Sequence, residues 1–409
     1  MSNVLHSLRG VSPIVMTPFD ERNRIDFDSY EREVEWLIAG GLKAMGLGLA
    51  SELKFVTEEE RLSLVKALAR FTKGRVKIFA GTGADDAALA IERSHAALEE
   101  GFDMLLVTPP KGPDEDGIYR YYEAISKAIR APIIVQDAFN NTHVRMSADL
   151  IARLGDIEHV RAAKLETAPT PTAVREIKER VGDKLMLIGG MGSRYTIDEW
   201  RRGAEGTIPG PATGLLVFKP IWDHLQKGEV GAARRWLRRF DPLMHWGLVD
   251  NGRFHYLEKE LMRRKGIFRT TAFRADLPHP APFDIAELED YLAFCEIHPD
   301  GSPRRFERRA WRLRLRPGKE GDYVRDHVEA PQEIYDLIAA RGVHEYSIFV
   351  DGRDVFLYAE EDVPQREAPA ELREAGAKWR ERMNAIVEPE PKPRGRFMEE
   401  CFHWPRDAD

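Results

Sequence analysis

Two textures alternate from residue 11 to about residue 211, and this alternation restricts the fold more than any other feature of the chain. Short apolar stretches that stop at Gly, Pro, Thr or a charged residue read as strands at 11–16, 44–47, 76–80, 104–107, 133–135, 160–164, 185–188 and 206–208. Between them lie charge-rich amphipathic segments with helical spacing at 28–39, 57–72, 85–100, 116–129, 147–154 and 172–181. Thr57 stands three residues before Glu60, the spacing of a capping box, and Asp85 precedes an Ala-rich run as a candidate cap. Strand and helix alternating over this length predict an α/β fold, a (β/α)8 barrel. The competing open, doubly wound sheet would carry a Gly-rich phosphate turn behind its first strand. Here the first strand runs into Thr17-Pro18-Phe19 instead.

The chain has 409 residues, more than a single barrel needs. From 215 to 296 the pattern is helical, and these helices are expected to pack beside the barrel. A Pro/Gly/Ser-rich stretch at 298–303 then reads as a linker. The expected domains are 1–300 and 308–409, with 301–307 between them. In the second domain, strands at 310–315, 346–350, 355–359 and 397–402 alternate with helices at 321–340 and 369–387. The turn 351–354 joins the middle two strands, which gives the β-α-β-β-α-β order of an α+β, ferredoxin-like fold.

Composition narrows the function classes. A net charge of −7 lacks the basic balance of a nucleic-acid binder, so the Arg-rich runs at 234–239 and 304–316 read as solvated faces or subunit contacts. Two cysteines, Cys295 and Cys401, are too few for a disulfide framework or a thiolate zinc site. His344-Glu345 lacks the second histidine of a zincin helix, and no histidine/carboxylate spacing suggests a metal. With no apolar run long enough for a membrane span and no signal-peptide core, a soluble, cytoplasmic protein is expected, without nucleic-acid or membrane partners.

Lys164 closes the sixth predicted strand, at the barrel end where the βα-loops gather. A lysine usually decorates a surface, but one at this place points its stem into a walled mouth. Desolvation there favours the neutral amine, which can attack a keto acid to form an imine. Residues 8–300 resemble the dihydrodipicolinate synthase / N-acetylneuraminate lyase family of pyruvate-dependent class I aldolases. The resemblance is carried by 13–19 (Pro-Ile-Val-Met-Thr-Pro-Phe), 81–84 (Gly-Thr-Gly-Ala), 107–110 (Val-Thr-Pro-Pro) and the register around Lys164. It implies a barrel that assembles as a homo-oligomer, dimer or tetramer, with Lys164 as the Schiff-base lysine and no other cofactor.

This chain departs from the family pattern at several positions. The paired threonines of the family stretch Gly-Thr-Thr-Gly-Glu are Leu49 and Ala50 here, leaving Ser51 to offer a hydroxyl and a backbone N–H to the keto acid. The strand-five tyrosine, the family's acid/base group, is Gln136, an amide that can orient but cannot exchange a proton near neutrality. Asp137 beside it is expected to point the other way. Where the synthase has an arginine for its second substrate's carboxylate, Asn141 stands, which argues against lysine biosynthesis. Gly189 and Gly190 are expected to let backbone approach the substrate carboxylate, and Pro209 to line the same mouth. Glu52 and Glu166 read as structural carboxylates.

Tyr323 and His327 lie four apart on the first helix of the second domain, on one face. Residues 308–405 resemble the L-rhamnose mutarotase family through Tyr323-x-x-x-His327, the strand entry 342–348, Trp379 and the terminal Glu400-x-Phe402-x-Trp404-Pro405. The residue types suit anomer exchange, which removes a proton from the anomeric hydroxyl and protonates the ring oxygen. His327 can make one transfer, Tyr323 can assist the other, and Tyr346 and Trp379 supply flat faces for the sugar. The family's second tryptophan is Arg380 here. Together the halves read as a bifunctional sugar-catabolic enzyme. An aldolase would cleave a 2-keto-3-deoxy sugar acid, of the 2-keto-3-deoxy-L-rhamnonate type, to pyruvate and an aldehyde. A mutarotase would exchange anomers of L-rhamnose or a related sugar. The alternatives are a dehydratase acting through the same imine, or a non-catalytic barrel that carries a mutarotase.

Overall fold

Parallel neighbours require a crossover, and the chain supplies a helix after each strand of its first half. In the computed structural model these strands are β1 (Gly10–Val11), β2 (Ala44–Gly46), β3 (Lys77–Gly81), β4 (Met104–Val107), β5 (Ile133–Asp137), β6 (Val160–Leu165), β7 (Met186–Gly189) and β8 (Gly206–Thr207). The structure describes residues 2–274, 279–295, 297, 301, 306–362, 367–389 and 398. Two compact units result, one ending at residue 302 and the other beginning at 303.

All eight strands are parallel, in the order β1-β8-β7-β6-β5-β4-β3-β2. The ring is completed by a bridge between Ile14 and Gly46, where Val15 N–H donates to Gly46 O at 2.9 Å and Gly46 N–H donates to Pro13 O at 3.1 Å. The first strand is shorter than the predicted 11–16: Ser12 and Ile14 N–H still donate to Thr207 O and Pro209 O, but Pro209 has no N–H to return a bond, so the regular ladder with β8 stops at Val11. Glycines stand at both joints. A Cβ on Gly206 would overlap the Leu8 carbonyl, and one on Gly46 would overlap the Phe79 carbonyl and ring.

Alternation along the strands separates two cores. Ile14, Phe79, Met104, Leu106, Ile134, Ala162, Met186 and Ile188 fill the barrel. Met45, Ile78, Leu105, Val135, Ala163 and Leu187 face outward onto the helices. Leu243, Leu257, Leu261 and Leu288 join that outer core, so the helices Val230–Gly247, Asn251–Arg264 and Pro282–Phe294 do lie against the barrel. The helix Glu58–Thr72 begins with the expected box: Thr57 Oγ1 accepts from Glu60 N–H, and Glu60 Oε2 accepts from Thr57 N–H. The next cap is Asp86 rather than Asp85, whose carboxylate instead accepts the Lys111 N–H across the loops.

In the second unit β9 (Phe306–Arg314), β10 (Val343–Asp351) and β11 (Asp354–Asp362) form an antiparallel sheet in the order β10-β11-β9. The helix expected at 321–340 is two helices, Glu320–Val328 and Gln332–Ala340, because Pro331 lacks an N–H and keeps Ala330 out of helical geometry. Ala370–Asn384 is the third helix. Leu315, Tyr323, Val355, Leu357 and Ile386 make this unit's own core. The linker expected at 301–307 gives way to β9 at Phe306, and its other residues, like the strand expected at 397–402, lie outside the described residues except for Gly301 and Met398. Met398 N–H donates to Ala310 O on β9 at 2.7 Å.

One buried ion pair ties the loops at the barrel mouth to the flanking helices. Lys259, fully buried on Asn251–Arg264, donates to Glu52 Oε1 at 2.5 Å, Thr17 O at 2.8 Å and Ala272 O at 2.7 Å. Glu52 Oε2 accepts the Arg274 N–H at 2.6 Å. Lys259→Met should cost about 3–5 kcal/mol in urea unfolding, because it leaves the Glu52 carboxylate buried without its cation. Adding Glu52→Leu to that variant should recover most of the loss. A single variant as stable as the parent would refute this role for the pair.

Candidate active sites

Lys164 is carried inward by the strand period that also turns Ala162 inward, and only 2% of it is exposed. Two residues on, just past the strand end, Glu166 returns to the same face. Its Oε1 lies 2.9 Å from Lys164 Nζ, and the Met191 N–H donates to that oxygen at 3.2 Å. Gln136 is level with Lys164 in the β5–β6 register, and its Nε2 donates to Glu166 Oε2 at 2.7 Å. The mouth therefore holds an amine and an amide on the two oxygens of one carboxylate. Glu166 was read from sequence as structural, yet the period-two pattern through 162, 164 and 166 is a signal that places it beside the lysine.

The other expected residues take different places. The Ser51 hydroxyl donates to Val15 O at 2.6 Å and accepts the Gly48 N–H at 3.1 Å, while its own N–H donates to Gly48 O. Ser51 thus braces the loop, with its donors already used. Gly189 backs onto Glu199 and Thr207 behind the strand, and a Cβ on Gly190 would overlap Glu166. The room these two glycines leave is filled by protein side chains rather than by a path to a carboxylate. Pro209 O accepts the Ile14 N–H at 2.9 Å, so it belongs to the barrel joint. The Asn141 amide faces Asn251, and its carbonyl accepts from Lys54. Glu52 is structural, as read. Asp137 does point away: it accepts from Thr167 Oγ1 at 2.7 Å, and burial raises its carboxyl to about 6.

Beside Gln136 the loops after β2, β3 and β4 enclose a cavity of about 520 Å³ lined by Leu49, Lys54, Asp85, Thr108 and Lys111. Burial, reinforced by the neighbouring Lys111 charge, lowers the Lys54 ammonium below its ordinary range.

In the second unit, Trp311, His327, Tyr346 and Trp379 line a cavity of about 1010 Å³. His327 Nδ1 lies 2.9 Å from the Tyr323 carbonyl, which can only accept, so Nδ1 carries a proton and in the neutral ring Nε2 is the nitrogen with the lone pair. The Trp379 ring stands edge-on to His327 with centroids 5.2 Å apart, and Tyr346 lies 6.0 Å from Trp311. Tyr323 differs from expectation. It is buried in the core, its ring tilted 38° against that of His327 with centroids 4.1 Å apart, and burial lifts its hydroxyl well above the ordinary tyrosine range. It is placed as a platform for the imidazole, and its main-chain carbonyl accepts the ring N–H, while its hydroxyl holds its proton. The terminal motif 400–405 lies outside the described residues.

Comparison with known proteins matches both halves. The family model described as "Dihydrodipicolinate synthetase family" matches residues 7–281, and the L-rhamnose mutarotase model matches 308–404. A 4-hydroxy-tetrahydrodipicolinate synthase of Bifidobacterium longum is 27% identical over 285 residues, covering 68% of this chain and 91% of its own. One from Kosmotoga olearia is 33% identical over 159 residues, 38% of this chain, and there the match spans only about half (54%) of the relative. Among solved structures, the dihydrodipicolinate synthase of Aquifex aeolicus superposes with TM-score 0.65 at 23% identity, covering 70% of this chain and 97% of its own. The Acinetobacter baumannii synthase, solved with pyruvate, gives 0.65 at 24%, covering 71% and 100%. These likenesses establish the barrel fold.

The helix Thr196–Trp200 that follows β7 carries a buried carboxyl, Glu199. Glu199 accepts from Thr170 Oγ1, its Oε2 has no hydrogen-bond partner among the described residues, and burial raises its carboxyl to about 7. The unfolded chain ionises this group near 4.5 while the folded chain keeps its proton to about 7, so its contribution to stability falls across that window and is flat above it. Glu199→Gln should therefore gain on the parent between pH 5 and pH 8, by on the order of 2 kcal/mol. Thermal melts across that range would show it. A difference that does not change with pH would count against the raised carboxyl.

Proposed function

The chain belongs to the dihydrodipicolinate synthetase family over residues 7–281 and carries an L-rhamnose mutarotase domain behind it, and from that premise we propose a bifunctional sugar-catabolic enzyme, a lyase joined to an isomerase. The observation that carries the lyase reading is the contact between Lys164 Nζ and Glu166 Oε1 in the barrel mouth. Glu166 takes a proton from the lysine, and the free amine adds to the C2 carbonyl of a 2-keto-3-deoxy sugar acid. The same carboxyl returns the proton to the departing water, which leaves a protonated imine. Glu166 then accepts the C4-hydroxyl proton, the C3–C4 bond breaks, and its electrons pass into the imine. An aldehyde departs, and the enamine, reprotonated at C3 and hydrolysed, yields pyruvate. Gln136 holds the second carboxylate oxygen in line, so Glu166 takes the acid/base role that the family gives to a tyrosine. Lys54, Asp85, Thr108 and Lys111 offer donors and acceptors for the hydroxyls of the aldehyde half.

The same contact supports a second lyase outcome. If Glu166 takes a C3 proton and delivers it to the C4 oxygen, water leaves and the carbon chain stays whole. A barrel without chemistry is the weaker reading, since a scaffold has no use for an amine, a carboxylate and an amide converging on one point. We take the protein as a cytoplasmic homo-oligomer acting on small molecules, with a substrate of the 2-keto-3-deoxy-L-rhamnonate type.

Borohydride with pyruvate should label Lys164, and Lys164→Ala should lose both label and turnover. Glu166→Gln should still be labelled yet turn over ~10²–10⁴-fold more slowly and lose one limb of its pH–rate profile. Gln136→Ala should slow turnover and keep both limbs. Label in the Lys164 variant, or an unslowed Glu166 variant, would sink these roles. Product analysis separates pyruvate plus aldehyde from a dehydrated chain.

For the second domain, the free His327 Nε2 facing an aromatic cavity supports removal of the anomeric proton. His327→Ala in the full chain should abolish most of the catalysed anomer exchange, read by saturation-transfer NMR, and leave keto-acid turnover intact. Exchange at the parent rate in that variant would remove His327 from the mechanism.

A further inference from the structure

The cavity of the second unit is charged in a way that a neutral deoxy sugar does not require. Arg309, Arg316, Arg341 and Arg380 line it, against the carboxylates Glu361 and Glu388. Both carboxylates are already engaged. Glu361 pairs with Arg309 at 2.5 Å, and Glu388 pairs with Arg353, which stands outside the lining. Arg316 donates to the Val387 and Asn384 carbonyls, contacts that hold the guanidinium without cancelling its charge. Arg341 and Arg380 make no ion pair among the described residues. Arg341 ends the helix Gln332–Ala340, and Arg380 follows Trp379 on Ala370–Asn384, so two separate elements each bring one uncommitted guanidinium to the same cavity.

We propose that this cavity takes an anionic sugar, with the ring on the Trp311, Tyr346 and Trp379 faces and the anion on Arg341 and Arg380. A guanidinium presents a planar fork of donors that fits a carboxylate or a phosphate, and charge-assisted bonds of this kind are about twice as strong as neutral ones. A hexuronate is the favoured form of that anion, because the barrel of the same chain is read as handling sugar acids. The inference rests on the mutarotase reading of the second domain and sharpens its substrate class. The carboxylate takes no part in the proton transfers: His327 still removes the anomeric proton, and the ring oxygen still gains one.

Saturation-transfer NMR on the full-length protein tests this with matched sugars: galacturonate and glucuronate, galactose and glucose, their 6-phosphates, and L-rhamnose. The uronates should exchange anomers about tenfold faster than the neutral hexoses, the equivalent of one charge-assisted contact. Arg341→Gln and Arg380→Gln should each remove that advantage while leaving L-rhamnose exchange within about twofold of the parent, and added salt should slow the uronates alone. A larger acceleration for the 6-phosphates would support anion recognition and assign it to phosphate. Acceleration of L-rhamnose and the neutral hexoses with none for either anion would overturn the proposal and leave the mutarotase reading intact. No acceleration of any sugar would overturn both. Variants that lower every sugar equally would show the arginines to be structural and likewise end the proposal.

Discussion

Closure of the parallel ring is the constraint on which everything in the first unit rests. Eight strands come full circle only if β1 can be approached from both sides. Gly206 admits the Leu8 and Gly10 carbonyls at the β8 joint, and on the other side Gly46 bridges Ile14 while giving β3 room to bring in the Phe79 carbonyl. Once the ring is closed, its inner face is a filled apolar column with a single polar end. Lys164 sits at that end because strand alternation puts every second residue of β6 inside. The buried Lys259–Glu52 pair then stiffens the rim by joining the first two loops to a helix more than 200 residues away in sequence.

The two candidate sites show opposite ways of handling a proton. In the barrel, one carboxylate is shared between an amine and an amide, so the proposed proton transfer has a short path between Lys164 and Glu166. In the second unit, one imidazole nitrogen is committed to a helix carbonyl, which leaves the other to the cavity as the proposed base. Tyr323, which supplies that carbonyl, is itself too deeply buried to give up its phenolic proton near neutrality.

What could be read in the sequence was what depends on near neighbours or on period. The strand alternation, the Thr57–Glu60 box and the inward Lys164 follow from spacing alone. The Pro331 break was equally local, and the proline rule itself splits that helix. Contacts between distant segments were not legible in the same way. Asp85 and Asp86 are equivalent as caps until Lys111 arrives from the next loop to take one of them. Ser51 reads as a substrate donor until the Val15 carbonyl claims its hydroxyl. Glu166 stood between these cases. The period put it on the lysine's face, but its role depended on Gln136 standing level with Lys164 across the β5–β6 pairing, a register the sequence does not state.

The packing of Glu166 against the Cα of Gly190 ties two positions together. Any side chain at 190 would occupy the volume of the carboxylate, so the two positions cannot change independently. In the proposed mechanism the acid/base group stands at position 166, and the room for its carboxylate exists because position 190 carries no Cβ. A single hydrogen in place of a methyl group at 190 is thus what gives the carboxylate its seat beside the lysine.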